Sequence, residues 1–104
     1  MIVTTADSIP GYQNYEPVGI ARGSTVRARN VGRDFLAGLK NLVGGEISEY
    51  TQLQAQSREQ AMQRMIQDAQ RMGADAIVCM RMNTSMIMQG ASEILVYGTA
   101  IRFK

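Results

Sequence analysis

The sequence predicts an α+β fold of two layers, an antiparallel sheet packed by one long and one short helix. Three observations carry this. Ser48 to Met72 holds no glycine or proline and shows one apolar stripe; Asp75 to Met88 and Ser92 to Phe103 are β-patterned runs joined by Gln89-Gly90-Ala91; and Tyr15 to Ala28 is a further β-rich run ahead of the helix. A chain of 104 residues has room for one core, so residues 1–104 form a single domain.

Taken in order, Ile2-Val3-Thr4-Thr5 is a short β-rich start and Ile9-Pro10-Gly11 a turn. Pro17 sets the run from Tyr15 at a sheet edge or strand start, and Gly19 and Gly23 inside it signal bulges, a bend or close backbone approach. Arg22, Arg27 and Arg29 form the densest basic group, but odd and even positions divide them between faces. They read as solvated or interface charges rather than a phosphate site. Phe35, Leu39 and Leu42 give the short helix its apolar side, and Gly44-Gly45 ends it. A phosphate-cradling loop there lacks the following Lys-Ser or Lys-Thr and the preceding strand.

In the long helix Ala61, Met62, Met65, Ile66, Ala69 and Met72 recur at three- and four-residue steps, and Gly73 supplies a terminator that tolerates positive φ. Arg58 interrupts the pattern. At 100° per residue it projects about 20° from Met65, near the middle of the stripe. A guanidinium aimed at a core needs a partner. Asp75 is the first choice, with Glu46 and Glu93 behind it; a structural ion pair or a reach to a neighbouring subunit is favoured over ligand binding. Beyond the helix, both alternating sets of the last two strands are apolar, as in sheets covered on both sides. The helices cover one face, and the chain has nothing left for the second. Another copy of the chain is therefore expected to cover it.

Composition narrows function mainly by exclusion. Eleven Lys and Arg against nine Asp and Glu, without clustering, do not describe a nucleic-acid-binding surface. No run approaches the roughly eighteen apolar residues of a membrane span, and the start lacks a signal-peptide pattern. The single cysteine, Cys79, forms no internal disulfide, which fits a reducing, cytoplasmic setting. Absence of histidine removes the commonest general base and metal ligand together. Met80, Met82, Met86 and Met88, with Thr84 between, would share one strand face. Thioethers can hold Cu(I), but filling irregular apolar gaps is their commoner use.

Val43-Gly44-Gly45-Glu46, Tyr50-Thr51, Arg58-Glu59-Gln60-Ala61, Gly73-Ala74-Asp75-Ala76-Ile77 and Tyr97-Gly98-Thr99-Ala100 together resemble the YbjQ-like family, in order and over nearly the whole chain. The resemblance implies a subunit similar to that of dodecin, assembling as a ring, typically a homopentamer. It also brings a label of heavy-metal binding. Many relatives carry acidic residues on the strand after Gly-Ala-Asp-Ala, where this chain has Arg81 and Asn83.

Three functional classes follow. The first, and favoured, is a non-catalytic homo-oligomer, with Arg58, Glu46 and Asp75 as candidate small-ligand residues at subunit interfaces. The second is a soft-metal protein using Cys79, Met80, Met82, Met86 and Met88. The third is an enzyme with Glu46 or Asp75 as carboxylate base and Arg58 holding an anion.

Overall fold

A computed structural model describes residues 1–28, 48–88 and 90–104. The elements are β1 (Ile2–Val3), β2 (Tyr15–Ala28), α1 (Ser48–Arg71), β3 (Ala76–Met88) and β4 (Ala91–Phe103). They make an α+β fold in which one long helix lies on a four-stranded sheet of order β1-β3-β4-β2. The predicted short helix, Gly44-Gly45 and Glu46 lie outside the described residues. The sheet is mixed, which corrects the antiparallel expectation: β1 runs parallel to β3, pairing Ile2 with Ala76 and Val3 with Ile77. A parallel pair needs a long crossover, and here β2 and α1 both intervene between the two strands.

α1 is a 24-residue helix, about 36 Å long. It packs mainly on β2, less on β4 and only marginally on β3. Its end is a Schellman motif. Gly73, at φ +77°, donates its N–H to the Gln70 carbonyl, and Ala74 donates to the Ala69 carbonyl at 3.1 Å. Ala61, Met65 and Ala69 are fully buried with Ala21, Ile77, Val96 and Ala100, while Met62, Ile66 and Met72 pack around them.

Side chains of α1 bond to the free edge of β2 at two points. Asp68 Oδ2 accepts the Arg22 amide N–H at 3.0 Å, and Arg64 Nη1 donates to the Ser24 carbonyl at 2.6 Å. Deeper in, buried Thr25 donates its hydroxyl to the Ser57 carbonyl at 3.2 Å. Unpaired groups on an edge strand invite pairing with another chain, and these contacts occupy two of them, at Arg22 and Ser24.

The second sheet face is partly covered by the chain itself, contrary to the reading that nothing remained for it. Ile9 packs with Ala76, Val78 and Ile101, flanked by Tyr15, Cys79 and Phe103. Tyr12 stacks on Phe103 with ring centroids 4.3 Å apart. The segment between β1 and β2 therefore shelters one end of that face. At the other end Ile20, Val26 and Tyr97 stay exposed.

β3 changes character part-way. Ala76, Ile77 and Val78 are buried, Cys79 and Met80 half-buried, and every residue from Arg81 to Met88 is exposed. The residues to Met80 bond to the N-terminal segment: Cys79 N–H donates to the Ala6 carbonyl and Met80 N–H to the Thr4 carbonyl. Beyond Arg81, β3 pairs only with β4 among the described residues, leaving its outer edge open. The molecule measures 55 × 24 × 16 Å with a radius of gyration of 17.3 Å. A compact domain of this length would have about 13 Å.

Candidate functional site

Arg58 does not lie on the buried stripe. It is exposed, and among the described residues neither Asp75 nor Glu93 pairs with it. The buried row is Ser57, Ala61, Met65 and Ala69, a strict four-residue spacing. Each such step overshoots a full turn by about 40°. The contact line therefore slants across the helix and reaches Ser57 in the early turns, leaving Arg58 about 100° to one side. A straight stripe, extrapolated seven residues back from Met65, assigned it to the core.

Asp75 has a local structural task. Its amide donates to the Ile101 carbonyl at 2.8 Å, and its Oδ2 accepts the Phe103 amide N–H at 2.9 Å. The carboxylate thus extends the β3–β4 ladder by one bond where the backbone pairing stops. Glu46, the other carboxylate candidate, lies outside the described residues.

Cys79 occupies a β-bulge. Val78 pairs with Thr99 and Arg81 with Tyr97, so Cys79 and Met80 together face Gly98. Cys79 takes φ +57°, the left-handed region that a side chain rarely enters. Gly98 is what admits the bulge, since a Cβ there would stand 2.5 Å from Ile77 Cγ2 and 3.1 Å from the Val78 carbonyl oxygen. The bulge places Cys79 in the cluster with Ile9 and Ile101, and Met80 in the opposite cluster beneath α1.

The candidate soft ligands are accordingly divided. Cys79 is on one face, while Met80, Met82 and Met86 follow the other; Met82 pairs with Val96 and Met86 with Ser92. A second irregularity after Met86 pairs Met88 with Ala91, which belongs to the alternate set of β4. Met86 and Met88 are widely exposed. No group of three or more Cys, Asp or Glu suited to a metal ion occurs among the described residues.

Tertiary structure assembles a different group. Arg22 of β2 meets Arg64, Gln67 and Arg71 of α1 around an open groove of about 430 Å³, with Gly23 and Ser24 along its floor. Arg71 Nη2 stands 3.7 Å from Asp68 Oδ1. Arg27, by contrast, turns toward the start of α1, donating to Ser57 Oγ at 3.1 Å and Gln60 Oε1 at 2.7 Å. The sequence does place Arg64, Gln67 and Arg71 on one helical face at i, i+3 and i+7. It gave no signal that Arg22 would join them.

A further charged group closes the far end of the sheet. Arg102 Nη2 donates to Glu16 Oε1 at 2.7 Å, with Lys104 Nζ 4.0 Å from the other oxygen. The Arg102 hydrogen bond and charge hold the Glu16 carboxyl below the usual glutamate range, aided by Lys104.

The sequence profile of the YbjQ family, described as "Putative heavy-metal-binding", matches residues 1–104. The chain belongs to this family. Its relatives include a UPF0145 protein of Archaeoglobus fulgidus, 50% identical over 104 residues, covering 100% of this chain and 96% of that one. A UPF0145 protein of Methanosarcina acetivorans is 49% identical, over 98% of this chain and 96% of its own. One from Acinetobacter baylyi is 57% identical over 93 residues, covering 89% and 86%. A crystal structure from Pediococcus pentosaceus, of a DUF74-family protein with unknown function, superposes with a TM-score of 0.70 at 18% identity, covering 100% of this chain and 98% of that one. That likeness supports the YbjQ fold and no more.

Proposed function

We propose that this chain is a non-catalytic homo-oligomeric protein of the cytoplasm, a ring-forming subunit, pentameric by family resemblance, with small-ligand sites at its subunit boundaries. The observation that carries the reading is the β3 segment from Arg81 to Met88, exposed at every position and bearing Met82, Met86, Ile87 and Met88. An open strand edge beside exposed apolar side chains is a surface that a soluble protein ordinarily pairs or covers. A second copy supplies both a strand and an apolar surface. No described helix is long and apolar enough to cross a membrane.

Size-exclusion chromatography with light scattering tests it. A pentamer of the 11.4 kDa chain would give about 57 kDa. Met86→Asp with Ile87→Asp should shift the particle toward one-chain mass. A wild-type particle of one-chain mass at micromolar concentration would defeat the proposal. The soft-metal reading gains less support, because Cys79 and Met80 pack into clusters on opposite faces of the sheet. It requires a Cu(I) titration to respond to Met82→Ile with Met86→Ile.

A further inference from the structure

We infer that the groove between β2 and α1 binds a compact polyvalent oxyanion, of the phosphate or pyrophosphate class, through Arg22, Arg64 and Arg71. The groove is within the size range of small-molecule sites, and Arg22, Arg64 and Arg71 are among the residues that line it. Arg64 and Arg71 stand on one helical face with Gln67 between them, and Arg22 approaches from the strand. Arginine presents a planar fork of donors matched to paired oxyanion oxygens.

The site is partly built before any ligand arrives. Arg64 Nη1 is anchored on the Ser24 carbonyl at 2.6 Å, which fixes its position while leaving its other N–H groups available. The nearby carboxylate, Asp68, is engaged elsewhere: Oδ2 accepts the Arg22 amide, and Oδ1 is 3.7 Å from Arg71. One carboxylate against three lining arginines leaves the groove net positive. Like charges gathered on one surface repel, and an incoming anion relieves that repulsion. The site is complete within one chain and stands independently of ring formation.

Isothermal titration calorimetry with pyrophosphate and with inorganic phosphate, at low ionic strength, is the test. Wild-type protein should bind pyrophosphate saturably, one per chain and more tightly than phosphate. Arg22→Gln and Arg71→Gln should each weaken binding about tenfold. Both side chains are exposed, and circular dichroism of each variant verifies its fold. Arg58→Gln removes the same charge from the helix outside the groove and should leave affinity unchanged. Three outcomes overturn the inference: no saturable binding to wild type, equal weakening by Arg58→Gln, or groove variants that change the assembled mass without changing pyrophosphate affinity.

Discussion

Gly23 of β2 lies directly against the backbone of α1 at Ala61. A Cβ on Gly23 would overlap the Ala61 carbonyl oxygen and the Met65 amide nitrogen, and would stand 2.8 Å from the Arg64 carbonyl carbon. These are backbone atoms of a helix, so no side chain can rotate away. The close crossing lets Thr25 reach Ser57, Asp68 reach Arg22, and Arg64 reach Ser24. One missing side chain thus sets the height of the helix above the sheet.

Gly23→Ala should therefore destabilise the protein by about 1–3 kcal/mol, as overpacking against an unyielding neighbour does. Gly73→Ala offers a contrast. Nothing stands within 4 Å of a Cβ there, but φ is +77°, so its loss should be conformational alone, about 1 kcal/mol. Denaturant midpoints of the two variants check both, and a Gly23→Ala protein as stable as wild type would mean that the helix is not seated as described.

At Cys79 the left-handed backbone makes an ordering prediction. Cys79→Val should lose about 1–3 kcal/mol, since a β-branched side chain fits that region worst. Cys79→Gly should lose less, although it removes more of the packed side chain. Unfolding free energies that instead rank with side-chain size would show that packing beside Ile9 and Ile101, not φ, governs the position.

Glu16 gives a pH dependence of known sign. Its folded-state pKa is lowered from 4.5, chiefly by the hydrogen bond from Arg102. Such a carboxyl contributes stability fully above its unfolded value, and that contribution fades as pH falls through the lower folded value. The contribution is small because both partners are solvated. Carboxyl NMR should show Glu16 titrating below the ordinary glutamate range in wild type and moving up toward it in Arg102→Gln. An unchanged midpoint would mean that the pair does not form in solution.

Arg58→Ala should change unfolding free energy by no more than about 0.5 kcal/mol, as at exposed positions generally. A loss several times larger would place the guanidinium in a buried pair after all.

Much of the fold was legible because local patterns and tertiary contacts agree. Tyr15–Ala28 and the glycine-ended helix follow directly from composition, period and Gly73, and the two final strands begin and end within a residue or so of their patterned runs. Gly23 announced a close approach, though not what approached. Arg58 shows where that agreement ended: the slant of the helix across β2 is set by contacts between distant segments, and no helical period contains it. The same holds for Met88, which alternation grouped with Met80 until the irregularity after Met86 changed the count.

By itself the sequence determined the long helix and the strands from Tyr15 onward, where that helix stops, and that the last two strands carry apolar residues on both alternating sets. Those properties reside in neighbours a few residues apart. Only the tertiary structure decided that Ile9 and Tyr12 shelter one end of the second face, that Cys79 rather than Met80 joins the Ile9 cluster, and that Arg22 joins Arg64 and Arg71. Each of these depends on crossing angle and strand register, which arise when segments forty or more residues apart settle against one another.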